Sequence, residues 1–88
     1  MFIVSENVKN SLSESNKFTG EMLKILKKYC RQDWGNISEE EKQKNDRAYQ
    51  YKNDCILAMY NTSEGKVYIN ANTDRSQTNI LFSNEYNR

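Results

Sequence analysis

The chain has 88 residues, with 13 Lys and Arg against 12 Asp and Glu, a formal net charge of +1, and neither histidine nor proline. Hydrophobic residues make up 36%, which even with three glycines stays under the roughly 45–50% of an average soluble domain, while the near-zero charge and 11% aromatic content exclude a disordered chain. No apolar run reaches the ~20 residues of a membrane span, and lack of histidine excludes a Ser-His-Asp triad, a Cys-His pair and a Cys/His zinc site.

Met1 to Ser5 predict a short strand or an ordered arm. Val8 and Leu12, with Ser5, Asn7 and Asn10 as candidate caps, predict a brief helix over residues 6–14, and the polar run Ser13 to Lys17 predicts a loop. The clearest helix is expected from Phe18 to Arg31. Phe18, Met22, Ile25, Leu26, Tyr29 and Cys30 recur at three- and four-residue spacing, with Leu23 beside them, and Lys27, Lys28 and Arg31 suit the negative end of the helix dipole. That stripe reads first as half of the core and second as a partner-binding groove.

Asp33-Trp34-Gly35-Asn36 breaks the helical pattern. Trp34 is expected to fold over the core as a lid, its indole N–H near a carbonyl or water. Ser38 and Glu41 have capping-box spacing, and Glu39, Glu40 and Glu41 suit a positive helix end, so a helix from Glu39 to Tyr51 follows. Its apolar anchors are Ala48, Tyr49 and Tyr51.

The last third predicts a β-meander. Cys55 to Tyr60 is apolar on both faces, as a central strand would be. Thr62-Ser63-Glu64-Gly65 supplies a tight turn, with Gly65 at a positive φ. From Lys66 to Asn72, Val67, Ile69 and Ala71 alternate with Tyr68, Asn70 and Asn72. After Thr73-Asp74-Arg75, a third strand covers Ser76 to Phe82. The expected fold is a single small α+β domain over residues 1–88, with two or three helices on one face of a three-stranded antiparallel sheet.

The start Met1-Phe2-Ile3-Val4-Ser5-Glu6 lacks the basic and apolar regions of a signal peptide, so a cytoplasmic, reducing location is expected. Cys30 and Cys55 are then expected as thiols, packed in apolar surroundings and unreactive. No cofactor, metal or catalytic set is expected, and the chain does not read as an enzyme.

Recognition offers more. Lys24, Lys28 and Arg31, with Lys27 beside them, form a basic stripe on the second helix that reads first as a solvated face and second as a nucleic-acid contact. The sequence pI of about 7.7 is far below the value above 9 of a basic nucleic-acid-binding domain. Asp74-Arg75 reads as a turn brace or as a recognition hook built on the planar donor fork of Arg. Because so small a chain needs its apolar faces inside, a protein partner would meet Glu39, Glu40, Tyr49, Tyr51, Tyr68, Asp74 and Arg75.

The segments from Asp33 to Lys42, from Ile56 to Tyr60 and from Thr73 to Phe82, with the closing Glu85-Tyr86, resemble a family of small bacterial proteins carried on plasmids, phages and integrated elements. That family's pattern is a Trp-Gly-Asp turn, an acidic Glu-Glu-Asp-Lys helix start, an Ile-Leu-x-x-Tyr strand and a Thr-Glu-x-Asp-Arg-Ser-x-Thr-x-Leu-Leu run. The resemblance covers roughly residues 33–86. It departs at Asn36 and Asn72, where the family has acids, and at Ser83, where it has proline. It implies a mobile-element accessory protein and does not imply an enzyme. The expected function is therefore protein binding, as an inhibitor of a host defence system such as a CRISPR effector. The alternatives are a nucleic-acid-binding module using Lys24, Lys27, Lys28 and Arg31, or a structural or toxin–antitoxin component.

Overall fold

In the computed structural model, which describes residues 1–86, the elements run β1 (Phe2–Val4), α1 (Glu6–Glu14), α2 (Asn16–Cys30), α3 (Glu39–Tyr51), β2 (Ile56–Thr62), β3 (Gly65–Ala71) and β4 (Thr78–Phe82). A 3-10 turn, Ser83–Glu85, follows. The fold is α+β, as expected, but the sheet has four strands in the order β1-β4-β3-β2. β2, β3 and β4 form the antiparallel meander, and β1 adds to β4 in parallel, pairing Phe2 with Thr78 and Val4 with Ile80. The expected three-stranded antiparallel sheet is corrected accordingly. The first strand finds its partner across nearly the whole chain, a pairing that no local pattern announces.

The helix starts follow their caps. The Ser5 hydroxyl accepts the Val8 N–H at α1, and the Ser15 hydroxyl accepts the Phe18 N–H at α2. Ser15 alone separates the two helices, so the loop expected over Ser13 to Lys17 shrinks to one residue. At α3 the capping box is complete: Ser38 Oγ accepts from the Glu41 N–H at 3.1 Å, and the Glu41 carboxylate accepts from the Ser38 N–H at 3.2 Å.

The helix-facing side of the sheet forms the core. Val67, Ile69 and Ala71 of β3, Ile56, Ala58 and Tyr60 of β2, and Ile80 of β4 are buried against Val8, Phe18, Met22, Ile25 and Ala48. The Phe18 ring meets Phe82 at 5.7 Å between centroids. Leu23 of the expected α2 stripe is 58% exposed, because it sits at the margin of the arc centred on Met22 and Ile25. Cys30 and Cys55 are exposed thiols, not the buried ones expected. Cys30 is the last residue of α2, and Cys55 precedes β2 rather than opening it.

Two further expectations fail at α3 and β2. Tyr49 and Tyr51 stay exposed, and Asn45 takes the buried place beside Ala48. Its side-chain amide donates to the Leu57 carbonyl at 2.9 Å and accepts the Leu57 N–H at 3.4 Å. β2 is therefore not a central strand but an edge whose outward backbone is covered. One residue pair further on, the Met59 N–H donates to Trp34 O at 3.2 Å, and the Asn36 N–H donates to Met59 O at 2.6 Å. Gly35 makes that approach feasible: its φ is +83°, and a Cβ there would strike the Met59 carbonyl and the Tyr60 ring.

Candidate functional site

Five segments that are distant in sequence meet at one end of the helix-facing side. They are β1, the last turn of α2, the Trp34 segment, the last turns of α3 and the turn between β3 and β4. Between them lies a pocket of about 330 Å³, walled by Phe2, Tyr29, Cys30, Trp34, Tyr49 and Arg75 and floored by Ile56, Ala71 and Thr78. A larger hollow of about 500 Å³ lies between α1 and the β2–β3 turn, but it is an open polar depression rimmed by Asn7, Asn10, Glu14, Glu64 and Lys66. The aromatic pocket has the apolar lining, with a single fixed charge, that side-chain recognition uses.

Trp34 organises its walls. The indole is 2% exposed, as its role as a lid predicts. Its N–H donates to Asp46 Oδ1 at 2.8 Å, a carboxylate where a carbonyl or water was expected. Tyr29 stands edge-on to it at 5.5 Å, and Tyr49 leans on it at 6.3 Å. These are separations at which the ring quadrupoles attract. Burial pushes the Tyr29 phenol above its ordinary range, with Arg75 opposing the shift, so Tyr29 stays neutral at physiological pH. Half of Tyr49 remains in solvent, and 58% of Phe2.

Arg75 carries the pocket's charge and is tied by its carbonyl bonds. Nη1 donates to the carbonyls of Asp54, Asn72 and Thr73 at 2.9, 2.7 and 3.0 Å, and Nη2 donates to Ala48 O at 2.6 Å. The guanidinium thus closes its own turn, holds the loop before β2 and sits on the carbonyl end of α3, where the helix dipole favours a cation. Its Nε is buried without a hydrogen-bond partner. The backbone at Arg75 has φ +62°, a left-handed conformation usually left to Gly or Asn. Asp74 forms no ion pair with it. Its carboxylate accepts the Ser76 N–H at 3.0 Å, and hydrogen bonding to Ser76 holds it below the usual carboxylate range.

Of the residues that the sequence nominates for a partner, Tyr49 and Arg75 come together here, and Asp74 lies in the adjoining turn. Glu39 and Glu40 sit in the first turn of α3, about 15 Å away along the helix at 1.5 Å per residue, where Glu39 pairs loosely with Lys42 at 3.8 Å. Tyr51 ends α3 and is exposed. Tyr68 lies on the opposite face of the sheet, edge-on to Tyr86 at 5.1 Å. Lys24, Lys27 and Lys28 on α2 and Arg31 at its C-cap are all exposed, and no ion pair among the described residues involves them. Phe2, Tyr29, Cys30 and Trp34 complete the pocket without having been nominated. The signal for Tyr29 and Trp34 was an aromatic pair bracketing a helix end, and it was read as core.

Chemically, the pocket presents aromatic faces and one anchored cation, and no carboxylate or lysine lines it. An apolar lining of this kind suits an apolar or aromatic group, with the Arg75 fork already engaged by backbone carbonyls. No family model, curated protein or solved structure matches the chain. No helix among the described residues is long and apolar enough to cross a membrane.

Proposed function

We propose that this chain is a mobile-element accessory protein that works by binding another protein in the bacterial cytoplasm, and that its partner belongs to a host defence system such as a CRISPR effector, which it inhibits. The observation that carries the protein-binding part is the pocket: Tyr49 half-exposed over Trp34 and Tyr29, with Arg75 held beside it. Tyr, Trp and Arg are enriched at binding hot spots, Tyr and Trp because they bury large rigid surfaces with few rotamers lost, and Arg through its planar donor fork. The defence target rests on the resemblance of residues 33–86 to mobile-element proteins.

The exposed cations Lys24, Lys27, Lys28 and Arg31, without an ion pair among the described residues, favour a second reading, in which α2 contacts nucleic acid. A single experiment separates the two. Cells with active CRISPR interference are challenged with a targeted phage while expressing the chain. Plaquing is expected to rise with the wild-type chain, to return to the restricted level with Tyr49→Ala, and to be unaffected by Lys24→Glu with Lys28→Glu. Unchanged plaquing with the wild-type chain removes the CRISPR target. Loss with the charge reversals and not with Tyr49→Ala installs the second reading.

A further inference from the structure

Two apolar hollows lie end to end along one seam, between α2 and the paired strands β1 and β4. The first, about 200 Å³, is bordered by Thr19, Leu23 and Leu26 of α2 and by Val4 and Ile80 of the strands. The second is the aromatic pocket, which takes over one helical turn later at Tyr29 and Cys30, beside Phe2 and Thr78. Because Phe2 pairs with Thr78 and Val4 with Ile80, the order along the strands matches the order along the helix. The lips of the seam are large apolar side chains left in solvent, Leu23 and Phe2 each 58% exposed. No Asp or Glu lines either hollow.

On the α2 side, the charges that border the seam are positive. Lys27 follows Leu23 by four residues and Arg31 follows Lys27 by four, which places both beside Leu23 on the helix surface. Both are exposed, and no ion pair among the described residues involves them. Lys24 and Lys28 sit about 100° and 140° round the helix from Leu23, outside the seam. Glu21, the one carboxylate of α2, is turned to the other flank, where it accepts from the Ser63 backbone and hydroxyl.

We propose that this seam receives an acidic amphipathic helix of the partner protein, with an aromatic side chain in the aromatic pocket and an aliphatic one in the hollow beside Leu23. The proposal rests on the reading of the aromatic pocket as a protein-binding site and adds the kind of segment that binds there. Spacing selects a helix. The α2 residues that line the two hollows are centred seven positions apart, about 10 Å along the axis at 1.5 Å per residue. A helix laid along the seam spans that distance with side chains at i and i+7, and a third at i+3 or i+4 lies over Leu26 between them. An extended strand presents same-face side chains about 6.7 or 13.4 Å apart and misses one hollow or the other. Charge selects the sign: Asp or Glu flanking those apolar positions meets Lys27 and Arg31, and a basic helix is repelled.

Selection on the whole chain from a phage-displayed library of random peptides of about 16 residues, a little over four helical turns, tests this. The enriched peptides are expected to be acidic and to carry an aromatic residue seven positions from an aliphatic one. Leu23→Glu, at an exposed position, and the pair Lys27→Glu with Arg31→Glu should each weaken their binding about tenfold or more, with the circular dichroism of the chain unchanged. Enriched peptides that are neutral or basic, that alternate apolar and polar residues, or that bind Leu23→Glu as tightly as wild type overturn the proposal, and so does a lack of enrichment. Binding lost with Tyr49→Ala but kept with Leu23→Glu removes the seam and leaves the pocket as a protein-binding site. Binding kept by both variants removes both. If a fluorescent oligonucleotide, and no peptide, binds through Lys27 and Arg31, the cations serve nucleic acid and the proposal falls.

Discussion

Removing the Arg75 side chain probes the joint on which the pocket depends. Arg75→Ala takes the charged donor from the carbonyls of Asp54 and Asn72, of which Asn72 O keeps the residue-75 backbone N–H at 3.1 Å. Ala48 O keeps the Lys52 N–H at 2.8 Å, and the exposed Thr73 carbonyl turns to water. Hydrogen bonds to a charged group contribute roughly 1.5–3 kcal/mol each, so losing the part-buried ones, with water recovering some, should cost about 3–4 kcal/mol. Arg75→Gly should cost about 1 kcal/mol less, because glycine relieves the left-handed backbone at φ +62°. Arg75→Lys should fall short of wild type by about 2 kcal/mol, since one ammonium cannot span both Ala48 O and Asp54 O as the fork does. Urea titrations should show the midpoint falling with an unchanged slope. Thermal midpoints should drop by at least about 12 °C for Arg75→Ala, given roughly 4–8 °C per kcal/mol in a domain this small. A loss under about 1 kcal/mol, with Gly no better than Ala, would refute the brace and return Arg75 to recognition.

Asn45→Ala uncovers the Leu57 backbone at the β2 edge and should cost about 2–3 kcal/mol by chemical denaturation; the same variant should aggregate faster, which light scattering reads. Gly35→Ala combines a positive φ with a collision against Met59 O, and should cost about 3 kcal/mol or more in the same titration. Acid stability should follow Glu21, Asp54 and Asp74, all surface groups held below their ordinary range by hydrogen bonds from Ser63, Cys55 and Ser76 respectively. Their contribution is complete above about pH 4–5 and is lost as pH falls through the folded-state values, so replacing all three with amides should flatten the acid limb of the stability curve. At the alkaline end, burial raises the Tyr60 phenol, which donates to Asp33 O at 2.8 Å. Stability should fall as pH rises past about 10, where the unfolded chain ionises first, and Tyr60→Phe should lessen that slope, leaving the part that the buried Tyr29 supplies.

Helices and turns were legible because their signals are local. Ser38 with Glu41, the strict alternation of Val67, Ile69 and Ala71, and Gly65 at its turn each act within a few residues, and the structure places them as the pattern says. What escaped was set at long range. β1 pairs with a strand some 76 residues later, and nothing in Phe2-Ile3-Val4 marks a parallel partner. β2 reads as central because Leu57 and Met59 are apolar, yet it is an edge whose covering comes from Asn45 and from the backbone around Gly35. A buried asparagine that answers a strand's free backbone has no periodic signature. The pocket was half legible: Tyr49 and Arg75 were nominated as exposed hot-spot types, whereas Phe2, Tyr29 and Trp34 join them only once five segments converge. Glu39, Glu40 and Tyr68 belong to other parts of the surface.

Photocross-linking in cells tests the central claim, recognition of a protein through the aromatic pocket, most directly. A benzophenone amino acid in place of Tyr49 should capture a discrete protein adduct, identified by mass spectrometry as a defence component. The same probe in place of Lys28, on the solvent face of α2, should capture neither that protein nor nucleic acid. An adduct at Lys28 that carries nucleic acid, with none at Tyr49, would contradict it.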